Sequence, residues 1–200
     1  MKPLIQALQL LLMPRKTWPQ IAAAEHSLPA VLLTQTLPLA LIPPLCWYFG
    51  VTQTGWLVGG EAMRLTADSA LPLCVLFFAA MVTGILFMGF MVRWMSQVYG
   101  EAGSLAAGVG LISFTATPFF VSGVIGLFPL LWLDISIGIA VACYSIYLLY
   151  LGVGPMMQVE TDRGFLYASA LFAVALVAFV GVLTATALLW EFGPAPEYTY

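Results

Sequence analysis

Asp134 is the only acidic residue inside the long apolar runs of this chain. An ionised carboxylate at membrane depth is costly, so one retained there points to a proton or cation relay. The competing reading places Asp134 at the lip of a helix, hydrated, helping a tight turn and favoured by the positive end of the helix dipole. No basic or acidic partner falls at the same depth, which favours the second reading. Pro38, Pro43 and Pro44 interrupt one apolar run and Pro118 another. In a transporter, helices broken this way free backbone carbonyls and amides that hold a substrate near the midplane. In an ordinary bundle they only kink the helix, with neighbouring helices and Thr34, Thr36, Thr115 or Thr117 repairing the backbone. A transport site would require Gln35, Thr36, Thr115, Thr117 and Asp134 to converge on one hydrated cavity.

The remaining reactive residues are sparse. Cys46 and Cys74 fall near the same ends of adjacent apolar runs, where a disulfide is conceivable, but free thiols are the simpler expectation. Three cysteines without CxxC spacing and a single histidine do not make a metal cluster. Glu25-His26 is one carboxylate beside one imidazole, below the threshold for a metal site. No Ser/His/Asp set, Cys/His pair, H-E-x-x-H, P-loop or G-x-G-x-x-G occurs. No catalytic, cofactor-binding or metal-ligating residue is therefore assigned, no cofactor is expected, and the chain is expected not to be an enzyme.

The elements that must carry these residues follow from composition. Apolar residues make up 62% of the 200 and charged residues 8%, with a mean hydropathy of +1.01. So few charges cannot cover a water-soluble globule of this size, so the apolar residues must face lipid as well as one another. The net charge of −3 argues against nucleic-acid binding. The expected fold class is all-α, a polytopic transmembrane helical bundle. Five spans are predicted, at about 28–51, 70–95, 104–128, 130–152 and 165–190, each long enough at about 1.5 Å per residue to cross a hydrocarbon core of about 30 Å. Between Glu101 and Glu160 only Asp134 is charged, and Phe128-Pro129 divides that run into a hairpin of two spans. Lys2, Arg15, Lys16, Arg93 and Arg163 fall on one side and Arg64 on the other, which predicts a cytoplasmic N-terminus and an outer tail over 191–200. Trp47, Trp56, Trp94, Trp132 and Trp190 near the span ends suit an aromatic belt.

Residues 1–27 form a prelude to the 28–190 domain. Leu4, Ile5, Leu8, Leu11 and Leu12 recur at helical spacing, which predicts a short amphipathic helix lying in the membrane interface and ended by Pro14. Pro14-Arg15-Lys16 interrupts the apolar run before any cleavage site, so the segment is expected to be retained rather than removed as a signal peptide. Thr17-Trp18-Pro19-Gln20 reads as a capping box opening a second short helix, with Thr17 at the N-cap. Small residues four apart recur at Ala106/Gly110, Ser122/Gly126, Gly138/Ala142 and Gly181/Ala185, where helix backbones can approach closely. Packing within the bundle is the simpler expectation for all four pairs.

Three stretches, in order, resemble the Yip domain family of membrane proteins (Ypt/Rab-interacting protein), in its bacterial branch. Met13-Pro14-Arg15-Lys16-Thr17-Trp18-Pro19-Gln20-Ile21 is similar to the family's lead-in to the first span. Ser113-Phe114-Thr115-Ala116-Thr117-Pro118 is similar to its segment with a proline in mid-membrane. Tyr144-Ser145-Ile146-Tyr147-Leu148-Leu149-Tyr150-Leu151-Gly152-Val153 is similar to its tyrosine-rich run closing on glycine. Together they cover most of residues 13–185. The resemblance implies a five-helix membrane bundle without enzymatic activity or cofactor, whose eukaryotic members act in vesicle traffic with Rab GTPases and with each other. This chain lacks the long cytosolic N-terminal region and any D-L-Y-G-P motif, so Rab-type GTPase binding is not expected.

The expected function is a non-enzymatic scaffold or organiser of the inner membrane, or a trafficking-related protein. It would act through helix–helix contacts with itself or other membrane proteins, with the lipid bilayer as its surroundings. The alternative is a small-solute or ion transporter or channel using the kinked first and third helices and Asp134. A third reading, a membrane-embedded enzyme acting on lipids or peptides, requires polar residues clustered at one depth.

Overall fold

A computed structural model describes residues 2–24, 27–58, 61–99, 103–192 and 198–199. Glu25-His26, Glu101, Glu197 and Tyr200 lie outside the described residues, as does the side chain of Trp190. The fold is an all-α bundle. Helices long and apolar enough to cross a membrane run over Leu28–Thr54, Ala67–Val98, Leu131–Met157 and Thr161–Leu188. A bent pair, Leu105–Thr115 and Thr117–Leu127, lies between the second and the last two of these and counts as a fifth, broken span when its two halves are taken together. The five are called the first to fifth spans here. Their connections are short, so successive spans alternate in direction. The end of the bundle where the first span begins is termed proximal and the other distal.

The prolines act on the first and third spans differently. In the first, the Leu32–Thr36 turn widens to a π-turn, with the Leu37 N–H bonding the Leu32 carbonyl, and the helix then continues through Pro38, Pro43 and Pro44. Pro38 has no N–H for the carbonyl four residues earlier, and the wide turn takes up the mismatch. In the third, the chain bends by 40° at Ala116, two residues before Pro118. The proline ring excludes a straight continuation, so the second half restarts as a new helix with Pro118 in its first turn. The fourth span ends at Met157, where Gln158 takes a left-handed conformation (φ 54°).

Before the spans, α1 (Lys2–Leu12) and α2 (Pro14–Ala23) fold as a helical pair. The capping box expected at Thr17 is not formed. The helix begins three residues earlier with Pro14 at its first position, where a missing N–H costs nothing, and Thr17 Oγ1 donates to the Met13 carbonyl at 2.8 Å. Both helices pack into the bundle through Ala7, Leu10, Trp18 and Ile21, each at most 1% exposed. Tyr144 Oη donates to the Leu11 carbonyl at 2.8 Å, satisfying a carbonyl that the end of α1 leaves without an intrahelical partner.

Between the first and second spans the chain forms a hairpin that hydropathy did not predict. β1 (Trp56–Val58) pairs antiparallel with β2 (Glu61–Leu65), and β3 (Tyr198–Thr199) adds to the far edge of β2. Gly55, at φ +76°, sets the turn into the hairpin in a conformation that side chains other than glycine rarely adopt.

Close backbone approaches hold the spans together. A Cβ on Gly89 would lie 2.7 Å from Val109 Cα, and one on Gly123 would lie 2.6 Å from Pro43 Cα. The second and third spans therefore meet backbone to backbone, as do the first and third. Lipid tails are as apolar as these side chains, so such packing, rather than removal of apolar surface from water, carries helix association here. Of the four small-residue pairs, Ser122/Gly126 packs internally, with Gly126 against the Trp47 backbone. Gly138 and Gly181 have open space where a Cβ would stand, so packing within the bundle does not account for those two pairs.

Candidate functional site

The wide turn of the first span and the bend of the third face each other, and the polar residues at the two defects meet. Gln35 Nε2 donates to Thr117 Oγ1 at 3.3 Å, and the Thr36 and Ser113 hydroxyls lie 2.7 Å apart. Thr36 Oγ1 also donates to the Val31 carbonyl at 3.3 Å. A hydroxyl has one proton, so with Thr36 donating to Val31 it is Ser113 that donates to Thr36. Gln35, Thr36, Ser113 and Thr117 are each 0% exposed. Gln35 Oε1 and the Thr115 hydroxyl are buried without a hydrogen-bond partner. The result is a closed polar seam tying two distorted helices together. Interhelical hydrogen bonds of this kind contribute on the order of 0.6 kcal/mol each.

Three of the five residues named for a transport site therefore come together, Gln35, Thr36 and Thr117, but inside a sealed contact. Thr115 is half-buried and bonds to none of them. Asp134 stands apart, half-exposed in the first turn of the fourth span, its backbone N–H bonded to the Leu130 carbonyl. Ser113 is the seam member that the reading of single residues passed over. Its signal was its place four residues before Thr117, on the same helical face.

Cys46, Cys74 and Cys143 are free, and Cys74 Sγ donates to the Pro44 carbonyl at 3.3 Å. Among the described residues no group of three His, Cys, Asp or Glu side chains is placed to hold a metal ion. Tyrosine hydroxyls supply two further bonds between spans: Tyr167 donates to the Val92 carbonyl, and Tyr150 pairs with Ser169 at 2.7 Å. These join the second span to the fifth and the fourth to the fifth.

A polytopic helical bundle sealed by neutral polar contacts is an integral membrane protein with its chemistry turned to packing. The model of the Yip1 domain matches residues 8–182, and the chain belongs to that family. Inner membrane protein YohC of Escherichia coli (strain K12) is 35% identical over 158 residues, covering 78% of this chain and 81% of the relative. The protein of the same name from Escherichia coli O6:H1 (strain CFT073) matches to the same extent. No solved structure matches the chain. The protein is thus a multi-pass inner-membrane protein of the bacterial branch of the family.

Proposed function

We propose that the protein is a membrane scaffold or organiser that works through helix–helix contacts with a second copy or with other membrane proteins. The fifth span supports this best: only 6% of its apolar window is buried inside the bundle. Gly181, within that span, offers a flat place on its surface where another helix backbone can approach. The test is energy transfer between labelled copies reconstituted in vesicles at dilute protein-to-lipid ratios. Gly181→Leu, which fills open space and leaves the fold intact, is expected to weaken association severalfold. Equal transfer in variant and parent, with no stable partner recovered from native membranes, would remove the basis of the proposal.

The same reading puts the proximal end in the cytoplasm and the tail outside, on the five-to-one distribution of basic residues. Thiol labelling of single cysteines introduced at Gln158 and at Gln53, both exposed and at opposite ends of the bundle, distinguishes the two orientations in intact cells.

Transport through Asp134 gains no support from the geometry, because the carboxylate is not linked to the seam. Asp134→Asn is expected to leave solute or ion flux in proteoliposomes, and thermal stability, within error of the parent. A loss of flux in a variant that remains folded would restore the transport reading.

A further inference from the structure

The proximal ends of the second and third spans do not close on each other. They leave a cleft of about 320 Å³ lined by Arg93, Ser96, Gln97, Gly103, Ser104 and Leu105. Its walls are held in place: Ser96, 1% exposed, donates to the Arg93 carbonyl at 2.7 Å and accepts from the Gly103 N–H at 3.1 Å. The first of these bonds lies within the second span and orients the buried hydroxyl; the second fixes the start of the next span against it.

The cleft is lined by donors. The Arg93 guanidinium has neither an ion-pair nor a hydrogen-bond partner among the described residues, and the same holds for the Gln97 amide. Ser104 Oγ accepts from the Ala107 N–H at 3.0 Å, which leaves its own proton available. Among the described residues, none of those lining the cleft carries a carboxylate. A cation or a neutral sugar would find a charge of the wrong sign or too few acceptors there. An anion with several oxygens fits, and a guanidinium matches phosphate oxygens two at a time.

Position selects the source of that anion. Arg93 lies in the last two turns of a span, and beside it Trp94 and Val98 are 56% and 75% exposed. A tryptophan and apolar side chains facing outward at this level mark the boundary between acyl chains and headgroups. The geometry points to a binding site for the anionic phosphodiester headgroup of a membrane lipid, with Arg93 on the phosphate, Gln97 and Ser104 on the remaining oxygens, and the acyl chains along Trp94 and Val98. Basic pockets between transmembrane helices recognise lipid headgroups through this chemistry.

The full chain in a neutral detergent provides the test. Thermal unfolding and native mass spectrometry are read with added phosphatidylglycerol, with phosphatidylcholine and with inorganic phosphate. Phosphatidylglycerol is expected to bind and to raise the unfolding temperature, with neither phosphatidylcholine nor inorganic phosphate doing so at the same concentration. Arg93→Gln, at an exposed position, should lower the preference for phosphatidylglycerol about tenfold, the size of one charge-assisted hydrogen bond, and Arg163→Gln should leave it unchanged. Equal binding of the two lipids, retention of the preference in Arg93→Gln, or equal loss in Arg163→Gln would overturn the site. An equal response to inorganic phosphate would overturn its assignment to lipid.

Discussion

Gly89→Leu is expected to unfold the bundle at a markedly lower temperature than any surface substitution, because it pushes apart two backbones rather than two side chains. The Cβ alone would stand 2.7 Å from Val109 Cα and 2.8 Å from its amide nitrogen. Neither atom belongs to a side chain that can rotate away. Opposite it, a Cβ on Gly108 would lie 3.3 Å from the Gly89 carbonyl carbon and from Val92 Cβ, so the crossing is tight from both sides. Overpacking a soluble core costs about 1–3 kcal/mol and occasionally more, and a backbone clash belongs at the upper end. Separating the second and third spans also strains the Ser96–Gly103 bond and moves the proximal cleft. The measurement is reversible unfolding in mixed micelles, comparing Gly89→Leu with Gly84→Leu on the same helix. A Cβ on Gly84 would meet nothing within 4 Å. A destabilisation of about 3 kcal/mol for the first and a near-neutral second are expected. Equal effects would mean that helix propensity, not the crossing, governs both.

The hydropathy of the chain made the bundle legible because lipid leaves few alternatives: every buried backbone group must be satisfied within a helix or closed sheet. The second span illustrates this, running through Ala67–Val98 as one uninterrupted helix around the predicted 70–95 core. Where the backbone departs from a straight helix, the prolines mark the place but not the form. Pro38 and Pro118 are equally visible, yet one produces a wide turn in a continuous helix and the other a 40° bend. The difference lies in what packs against each, which no single-chain pattern records. The hairpin over Trp56–Leu65 had a signal, Gly59-Gly60 between two short runs containing Trp56, Leu57, Val58 and Leu65. It was masked by its position, since a polar connection between two spans is read as a loop. The seam was half legible. Gln35, Thr36 and Thr117 stood out as polar residues in apolar runs, but their pairing joins positions 82 residues apart, and only the fold brings them into contact. Asp134, the residue most suggestive of chemistry in the sequence, stands outside the seam in the first turn of the fourth span.

Trp18 fixes the N-terminal helical pair to the bundle, and its removal is expected to have the second large effect. The ring is 1% exposed and meets Phe114 edge-on, with centroids 6.4 Å apart. It also lies over the fourth span where Gly152 has no side chain, so closely that a Cβ there would fall 2.6 Å from the Trp18 Cε2. Trp18 thus touches the third and fourth spans together, on the glycine that closes the tyrosine-rich run. Trp18→Ala leaves a cavity in place of the indole. In soluble cores such truncations cost about 3–5 kcal/mol; in a lipid-facing bundle part of that transfer cost disappears, which places the expected loss near the lower end. Gly152→Leu attacks the same contact from the other side by expelling the ring. Both variants should release α1 and α2 from the bundle while the five spans remain inserted, because the spans have their own crossings at Gly89 and Gly123. Limited proteolysis at Arg15 and Lys16, both exposed, reads the release directly. Cleavage in the variants at least about tenfold faster than in the parent, an opening free energy lower by about 1.4 kcal/mol, is the expected result. Unchanged cleavage with lowered thermal stability would show instead that Trp18 supports the spans and leaves the docking of α1 and α2 to the Tyr144–Leu11 bond.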